Sequence, residues 1–340
     1  MNRLILLLAF IVSSFINMLA DTHTDSSLSV KHLTIEGRTA YEGLDLAHPR
    51  LGWQIESKRP CTVQKSYRII VSTSLRNAQN QLGDMWDTGV VNSSQSQWID
   101  YRGKTLMPNT IYFWRVLINT RDACVISNAG SWSMGLMDES NWKGNWIGTD
   151  SLMPWDCNTK FSKVSARYLR KTFACTKPIQ RATVHVCGLG IYTLVVDGQR
   201  IGHGDVLTHV GTDFLKKVVY DTYDVSSLFT SSPARHALLL TLEAGQFFAV
   251  RQQYQINVRQ TYGLPKARLN LILEYTDGTK ETIATDATWK LNADGPVRYA
   301  NYYDGELYDA RKELTGASLP DYPDNTWREA EIVEAPQGKL

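Results

Sequence analysis

Short runs of β-branched and aromatic residues, each closed by a turn signal, recur along this chain. No segment carries apolar residues at helical spacing over several turns. Ser66 to Ser72, Ile111 to Asn119, Thr183 to Cys187, Tyr192 to Val196 and Leu269 to Tyr275 are the clearest runs. Asp197-Gly198 and Asp277-Gly278 each join two strand-like stretches, and Asp-Gly suits a type I′ turn, whose two central residues need positive φ. The pattern predicts an all-β protein. A length of 340 residues leaves room for two domains, and an apolar share of 43% supports a core in each.

The first sandwich is expected over 28–137. Leu106-x-Pro108-x-Thr110-x-Tyr112-x-Trp114-Arg115-Val116 puts Tyr112, Trp114 and Val116 on one face of a strand, which should be the core. A Tyr placed after a Pro-containing corner fits a tyrosine corner, its hydroxyl bonding back to upstream backbone. Gly130-Ser131-Trp132-Ser133 closes the pattern and Trp53 is the expected core tryptophan, so the stretch resembles a fibronectin type III/Ig-like sandwich. Asn141 to Gly148 holds two tryptophans and two glycines without alternation. It reads as part of an ordered linker over 138–165 whose tryptophans wedge between domains. A second β-sandwich is expected over 166–315. It begins where Tyr168, Arg170 and Thr172 alternate with Leu169, Lys171 and Phe173, and His236 to Glu243 is one of its buried strands. Residues 316–340 read as a connector toward a further domain.

Charge is nearly balanced, 36 basic against 34 acidic residues, and no dense Lys/Arg stripe is present; no nucleic-acid partner is expected. Gly188-Leu189-Gly190 lacks the third glycine and the following helix of a dinucleotide fingerprint. His203 and His209 share a loop region, but spacing supplies no third ligand, so neither a metal site nor a cofactor is expected. The five cysteines, Cys61, Cys124, Cys157, Cys175 and Cys187, show no CxxC spacing, and most are expected to be small buried apolar residues. Arg3, the apolar run Leu4 to Val12 and a candidate cleavage point after Ala20 read as a signal peptide over 1–20. The expectation is a periplasmic or secreted protein with no membrane span once the signal is removed.

Asn301 to Arg311 packs three carboxylates, three tyrosines and one arginine into one stretch. Tyr302, Tyr303, Asp304, Glu306, Tyr308, Asp309 and Arg311 are therefore the candidate carbohydrate-binding or interdomain residues. On a strand, Asp304 and Glu306 would face the same way, roughly 7 Å apart at about 3.3 Å per residue. Glycoside hydrolysis uses carboxylate pairs roughly 5–10 Å apart, but its acid also needs a raised pKa inside a cleft. The plainer reading pairs Arg311 with one carboxylate and packs the tyrosines into an interdomain seam. No catalytic residue is assigned.

Taken as an ordered set, several motifs resemble the N-terminal region of bacterial α-L-rhamnosidases, glycoside hydrolase family 78. They are Trp142-Lys143-x-x-Trp146-Ile147-Gly148, Arg167-Tyr168-Leu169-Arg170-Lys171-x-Phe173, Gly188-Leu189-Gly190-x-Tyr192, Tyr220-Asp221-Thr222-Tyr223-Asp224-Val225 and Tyr303-Asp304-Gly305-Glu306-x-Tyr308-Asp309-Ala310-Arg311. Pro49-Arg50-Leu51-x-Trp53 fits the family's leading Ig-like domain. The resemblance implies that the second sandwich is a jelly-roll, galactose-binding-like fold. It also implies that the family's acid and base lie in an (α/α)6 barrel outside these 340 residues. Ala244-Gly245-Gln246-Phe247-Phe248 stands where many members carry Gly-Asn-Gly-Trp-Tyr. The implied role is recognition of a rhamnose-containing glycan and docking of a catalytic barrel domain or partner chain, without hydrolysis. The alternatives are a fragment or split product of a hydrolase acting on terminal α-L-rhamnosyl residues, and a purely structural docking module.

Overall fold

The computed structural model describes residues 28–156, 163–202, 211–230, 234–248 and 261–340. The expected signal at 1–20, Cys157, His203 and His209 lie outside them. The chain divides into two compact units, Met1–Met134 and Gly135–Leu340.

In the first unit β1 (Leu28–Ile35), β2 (Tyr41–Leu44), β3 (Arg50–Ser57), β4 (Ser66–Ser72), β5 (Trp86–Asp87), β6 (Ile99–Asp100), β7 (Ile111–Asn119), β8 (Cys124–Ile126) and β9 (Gly130–Met134) form two sheets. One sheet has the order β1-β3-β6; the other has the order β2-β9-β7-β4-β5, with β8 added beside β7. Along β7 burial alternates strictly, and Tyr112, Trp114, Val116 and Ile118 are the buried set, as period-2 patterning requires. The tyrosine corner forms: Met107 N donates to the Tyr112 hydroxyl at 2.8 Å. Trp53, fully buried on β3, meets Tyr67 of β4 edge-on with centroids 5.3 Å apart, so the two sheets share one core. Its indole N–H is satisfied by Gln64 Oε1 at 3.0 Å, and the Gln64 amide nitrogen donates to the carbonyls of Ser93 and Gln95.

The second unit begins its pairing with β10 (Ile147–Gly148), β11 (Arg167–Cys175), β12 (Ile179–Leu189), β13 (Ile191–Val196), β14 (Gln199–Arg200), β15 (Asp221–Asp224), β16 (Ala234–Glu243), β17 (Lys266–Tyr275) and β18 (Lys280–Ala284). It ends with β19 (Lys290–Asn292), β20 (Val297–Asn301), β21 (Gly305–Tyr308), β22 (Arg328–Glu329) and β23 (Glu331–Ile332). One sheet runs β15-β12-β17-β10-β23 with β18 beside β17, and the other β14-β13-β16-β11-β19-β22. Inward residues of both, among them Val184, Leu240, Leu271 and Trp289, make one core; the fold is a β-sandwich. Strand β10, near the start of the unit, lies hydrogen-bonded between β17 and β23, near its end. The stretch before it also builds into this unit: Trp142 packs edge-on to Tyr220 and under the Arg268 guanidinium, while Trp146 joins a cluster with Phe214 and Phe247.

Two expectations need correction. At Asp197-Gly198 both residues have positive φ, 47° and 81°, as a type I′ turn demands, but at Asp277-Gly278 only Gly278 does. There Tyr275 N donates to Thr279 O and Gly278 N to Tyr275 O, which closes a longer loop needing one left-handed residue. The described cysteines are free and divide evenly: Cys175 and Cys187 are buried, Cys61 and Cys124 exposed. The latter two lie outside the alternating core positions that bury their counterparts, on a loop and a short edge strand. Among the described residues no helix is long and apolar enough to cross a membrane.

Candidate functional site

All seven candidate residues fall on one feature, the two-stranded hairpin β20–β21 and the turn after it. The base of the hairpin is anchored. Val297 and Ala300 are buried with Ala166, Tyr168, Ala317 and Trp327. Val297 N donates to the Tyr168 hydroxyl at 3.2 Å, Ala166 N to Val297 O at 3.0 Å, and Asp309 N to Pro296 O at 2.8 Å.

The tip is exposed. Tyr302, Tyr303, Leu307 and Tyr308 are 37%, 43%, 51% and 46% accessible. The turn itself is built by Asn301, whose side-chain oxygen accepts from Tyr303 N at 2.9 Å and Asp304 N at 2.8 Å. Gly305 then takes φ 72°, a conformation that costs glycine no Cβ clash. Asp304 therefore lies in the turn and Glu306 on β21, so the two do not share one strand face, as the flat-strand reading had them. Arg311 pairs with Asp309, its guanidinium donating to both carboxylate oxygens at 2.8 Å. That donation, with the Arg311 backbone N–H, lowers the Asp309 pKa to about 2.

Sequence reasoning missed two carboxylates that converge on this hairpin. Glu243, the last residue of β16, has its pKa lifted to about 7, first by burial and then by the nearby charge of Glu306, with Arg200 acting the other way. Glu313 accepts from the Tyr308 hydroxyl. All three carboxylates add to the burial that raises the Tyr168 hydroxyl to about 12. Glu243 carried no local signal, since a Glu closing an apolar strand is read as a strand end. Its environment comes from a hairpin some 60 residues later.

The Glu243 shift has a consequence for stability. In the unfolded chain this carboxyl ionises near its ordinary value of 4.5; in the fold it stays protonated to about 7. The native state thus binds more protons between those values, and stability falls as pH rises through that window. Glu243→Gln should leave stability unchanged near pH 4 and raise it by about 2 kcal/mol at pH 8, water access having reduced the full linkage value. Urea unfolding at both pH values checks this; equal midpoints for the two proteins at pH 8 would remove the inference.

As chemistry, the hairpin tip offers three phenol rings with polar edges and a fringe of acceptor-only carboxylates. Neutral, hydroxyl-rich ligands suit such a surface. Among the described residues no group of three or more His, Cys, Asp or Glu could hold a metal ion.

Two family models match the chain: "Rha78A-like, N-terminal immunoglobulin domain" over 30–138 and "Alpha-L-rhamnosidase N-terminal domain" over 177–340. An α-L-rhamnosidase of Alteromonas sp. (strain LOR) is 29% identical over 326 residues, covering 95% of this chain and 34% of the relative. The solved α-L-rhamnosidase of Dictyoglumus thermophilum is 35% identical with a TM-score of 0.82, over 92% of this chain and 35% of that one. The Streptomyces avermitilis α-L-rhamnosidase solved with L-rhamnose has the same TM-score, 0.82, at 21% identity, over 92% of this chain and 45% of that one; this is a likeness of fold. The chain spans about a third of the length of the curated relatives it matches.

Proposed function

Because the chain belongs to the N-terminal region of the α-L-rhamnosidase family, we propose that it is an accessory module. It recognises rhamnose-containing glycans through the β20–β21 tip and docks a catalytic domain, and it does not hydrolyse glycan itself. The observation that carries this reading is the solvent-exposed trio Tyr302, Tyr303 and Tyr308 on a hairpin held rigid at its base. Phenol faces cover the apolar face of a deoxysugar, while Asp304 and Glu306 accept from its hydroxyls. The module works outside the cytoplasm, periplasmic or secreted; the support is Arg3, the apolar run Leu4 to Val12 and the small residue Ala20.

Calorimetric titration with L-rhamnose and rhamnose-bearing oligosaccharides tests the binding claim. Millimolar affinity is expected, weakened about five- to tenfold by Tyr303→Ala. No heat at millimolar ligand would sink it. No turnover of p-nitrophenyl α-L-rhamnoside is expected; turnover abolished by Glu306→Gln would overturn the accessory reading. A purely structural docking role is favoured by one further fact, the 51% exposure of Leu307 between Glu306 and Tyr308. If docking is its whole purpose, Leu307→Asp abolishes capture of a separately expressed catalytic barrel, and the rhamnose titration stays flat in the unaltered protein.

A further inference from the structure

At one end of the first unit, far along the chain from the hairpin, lies a cavity of about 340 Å³. Its walls are the β3–β4 connection, the start of β1 at Leu28 and the β7–β8 turn. The volume lies at the lower end of small-ligand sites, roughly 300–1,000 Å³, enough for a molecule of monosaccharide size. The charged residues lining it are Arg59, Lys65 and Arg121 against the single carboxylate of Asp122. In a protein whose net charge is only +2, three cations around one concavity are a local concentration of the total. The ion pair on the strand that follows Lys65, Arg68 with Asp87, involves neither Lys65 nor Arg121.

The walls are held in shape by their own hydroxyls, so the cations are presented on ordered loops. Ser57 Oγ accepts from Arg59 N at 3.0 Å and lies 2.7 Å from Thr62 Oγ1, which donates to Arg59 O. Thr120 Oγ1 accepts from Asp122 N and Ala123 N, and Thr120 N donates to Ala123 O at 2.8 Å. Lys65 N donates to Asn119 O at 2.8 Å, which ties one wall to the other. The neighbouring Gln64 side chain is fixed in the core by Trp53 and by the carbonyls of Ser93 and Gln95. Ordered walls lose less entropy on binding than free loops do.

We propose that this cavity is a binding site for an oxyanion carried on a small molecule of about monosaccharide size, a carboxylate or a sulfate group. Lys65 and Arg121 are its principal charge donors. The site is independent of the hairpin reading and stands or falls without it. Arg121 supplies a planar fork that matches either oxyanion, and Lys65 a compact ammonium beside it.

Cys61 gives a built-in reporter. It lines the cavity, is exposed, and holds a left-handed φ of 58° that turns its residue out of the regular chain path. The experiment follows the reaction of the full chain with N-ethylmaleimide, an uncharged reagent, by mass spectrometry of the tryptic peptide that carries Cys61, residues 59–65 in the unaltered chain and 59–68 once Lys65 is replaced. Glucuronate, sodium sulfate and glucose are compared at low ionic strength. Protection of Cys61 by glucuronate, by sulfate or by both is expected, with glucose ineffective. Glucuronate alone assigns a carboxylate, sulfate alone a sulfate group, and both together a site open to either. Lys65→Ala with Arg121→Ala should weaken protection at least about tenfold, at an unchanged melting temperature. Raising the salt should weaken it too. Absence of protection by either anion, equal protection by glucose, or full protection in a folded double variant would overturn the proposal.

Discussion

Replacing Arg170 by alanine is expected to cost the second unit about 3–5 kcal/mol and to expose the chain after Lys312 to proteases before global unfolding. Arg170 sits in the middle of β11 with a guanidinium that is 1% accessible. Its Nε donates to Ala317 O at 2.8 Å, Nη2 to Leu319 O at 2.7 Å and to Pro320 O at 3.2 Å, and Nη1 to Asp324. One side chain thus satisfies three carbonyls and a carboxylate of the segment that folds back over the sheet. Alanine leaves the buried Ala317 carbonyl and three part-buried acceptors without their donor, at about 1–3 kcal/mol for a fully buried group and less where water reaches. Arg170→Lys should recover only part of the loss, since one ammonium cannot span the fork. Urea unfolding followed by tryptophan fluorescence, with limited proteolysis alongside, measures both effects. An alanine variant with the native midpoint would show that the segment is held by something else.

A comparable loss, about 4 kcal/mol or failure to fold, is expected for Gly190→Ala. Gly190 joins β12 to β13 at φ 123°, and a Cβ built there would lie 1.9 Å from the carbonyl oxygen of Glu243. That oxygen cannot retreat: Glu243 is paired with Ile191 across the β13–β16 ladder, and Gly245 approaches Gly190 from the other side at φ 49°. Backbone strain and overpacking therefore add. Gly198→Ala is the control. It also has positive φ, 81°, but its nearest neighbour is the end of the Leu319 side chain at 3.3 Å, so roughly 1 kcal/mol is expected. Equal losses at the two positions, read by thermal unfolding, would refute the clash argument.

These residues also mark how far the sequence could be read. Strand β7 was legible because one buried face imposes period-2 alternation, β4 because it is a short run of β-branched residues, and the tyrosine corner because its Pro and Tyr lie close together in the chain. Strand β11 was legible as a strand, but the fate of its arginines was not. Arg167 and Arg170 are both buried, Arg167 pairing at 2.5 Å with Asp156 in a fully enclosed ion pair. Nothing local distinguishes the Arg170 guanidinium from a surface one, because its carbonyl partners lie about 150 residues away, while Arg167 takes nearer partners, Ser165 and Asp156, that only the folded loop before β11 brings to it. The hairpin residues at 301–311 were legible as a cluster by composition. Their geometry was not: Asn301 bends Asp304 into a turn, and the electrostatic neighbours Glu243 and Glu313 arrive from other elements. The cavity beside Cys61 left no trace in the sequence, since its basic residues belong to two loops that meet only when β4 pairs with β7.

Strand β10 lies directly against β23, so a strand near the start of the second unit and one near its end adjoin at one edge of the same sheet, Ile147–Gly148 against Glu331–Ile332. A sandwich with adjoining entry and exit is topologically self-contained. What comes before and after it can be lengthened, exchanged or removed at one edge while its core stays closed. Such a body is easily transplanted among polypeptides of very different length, as a bead is moved from one string to another.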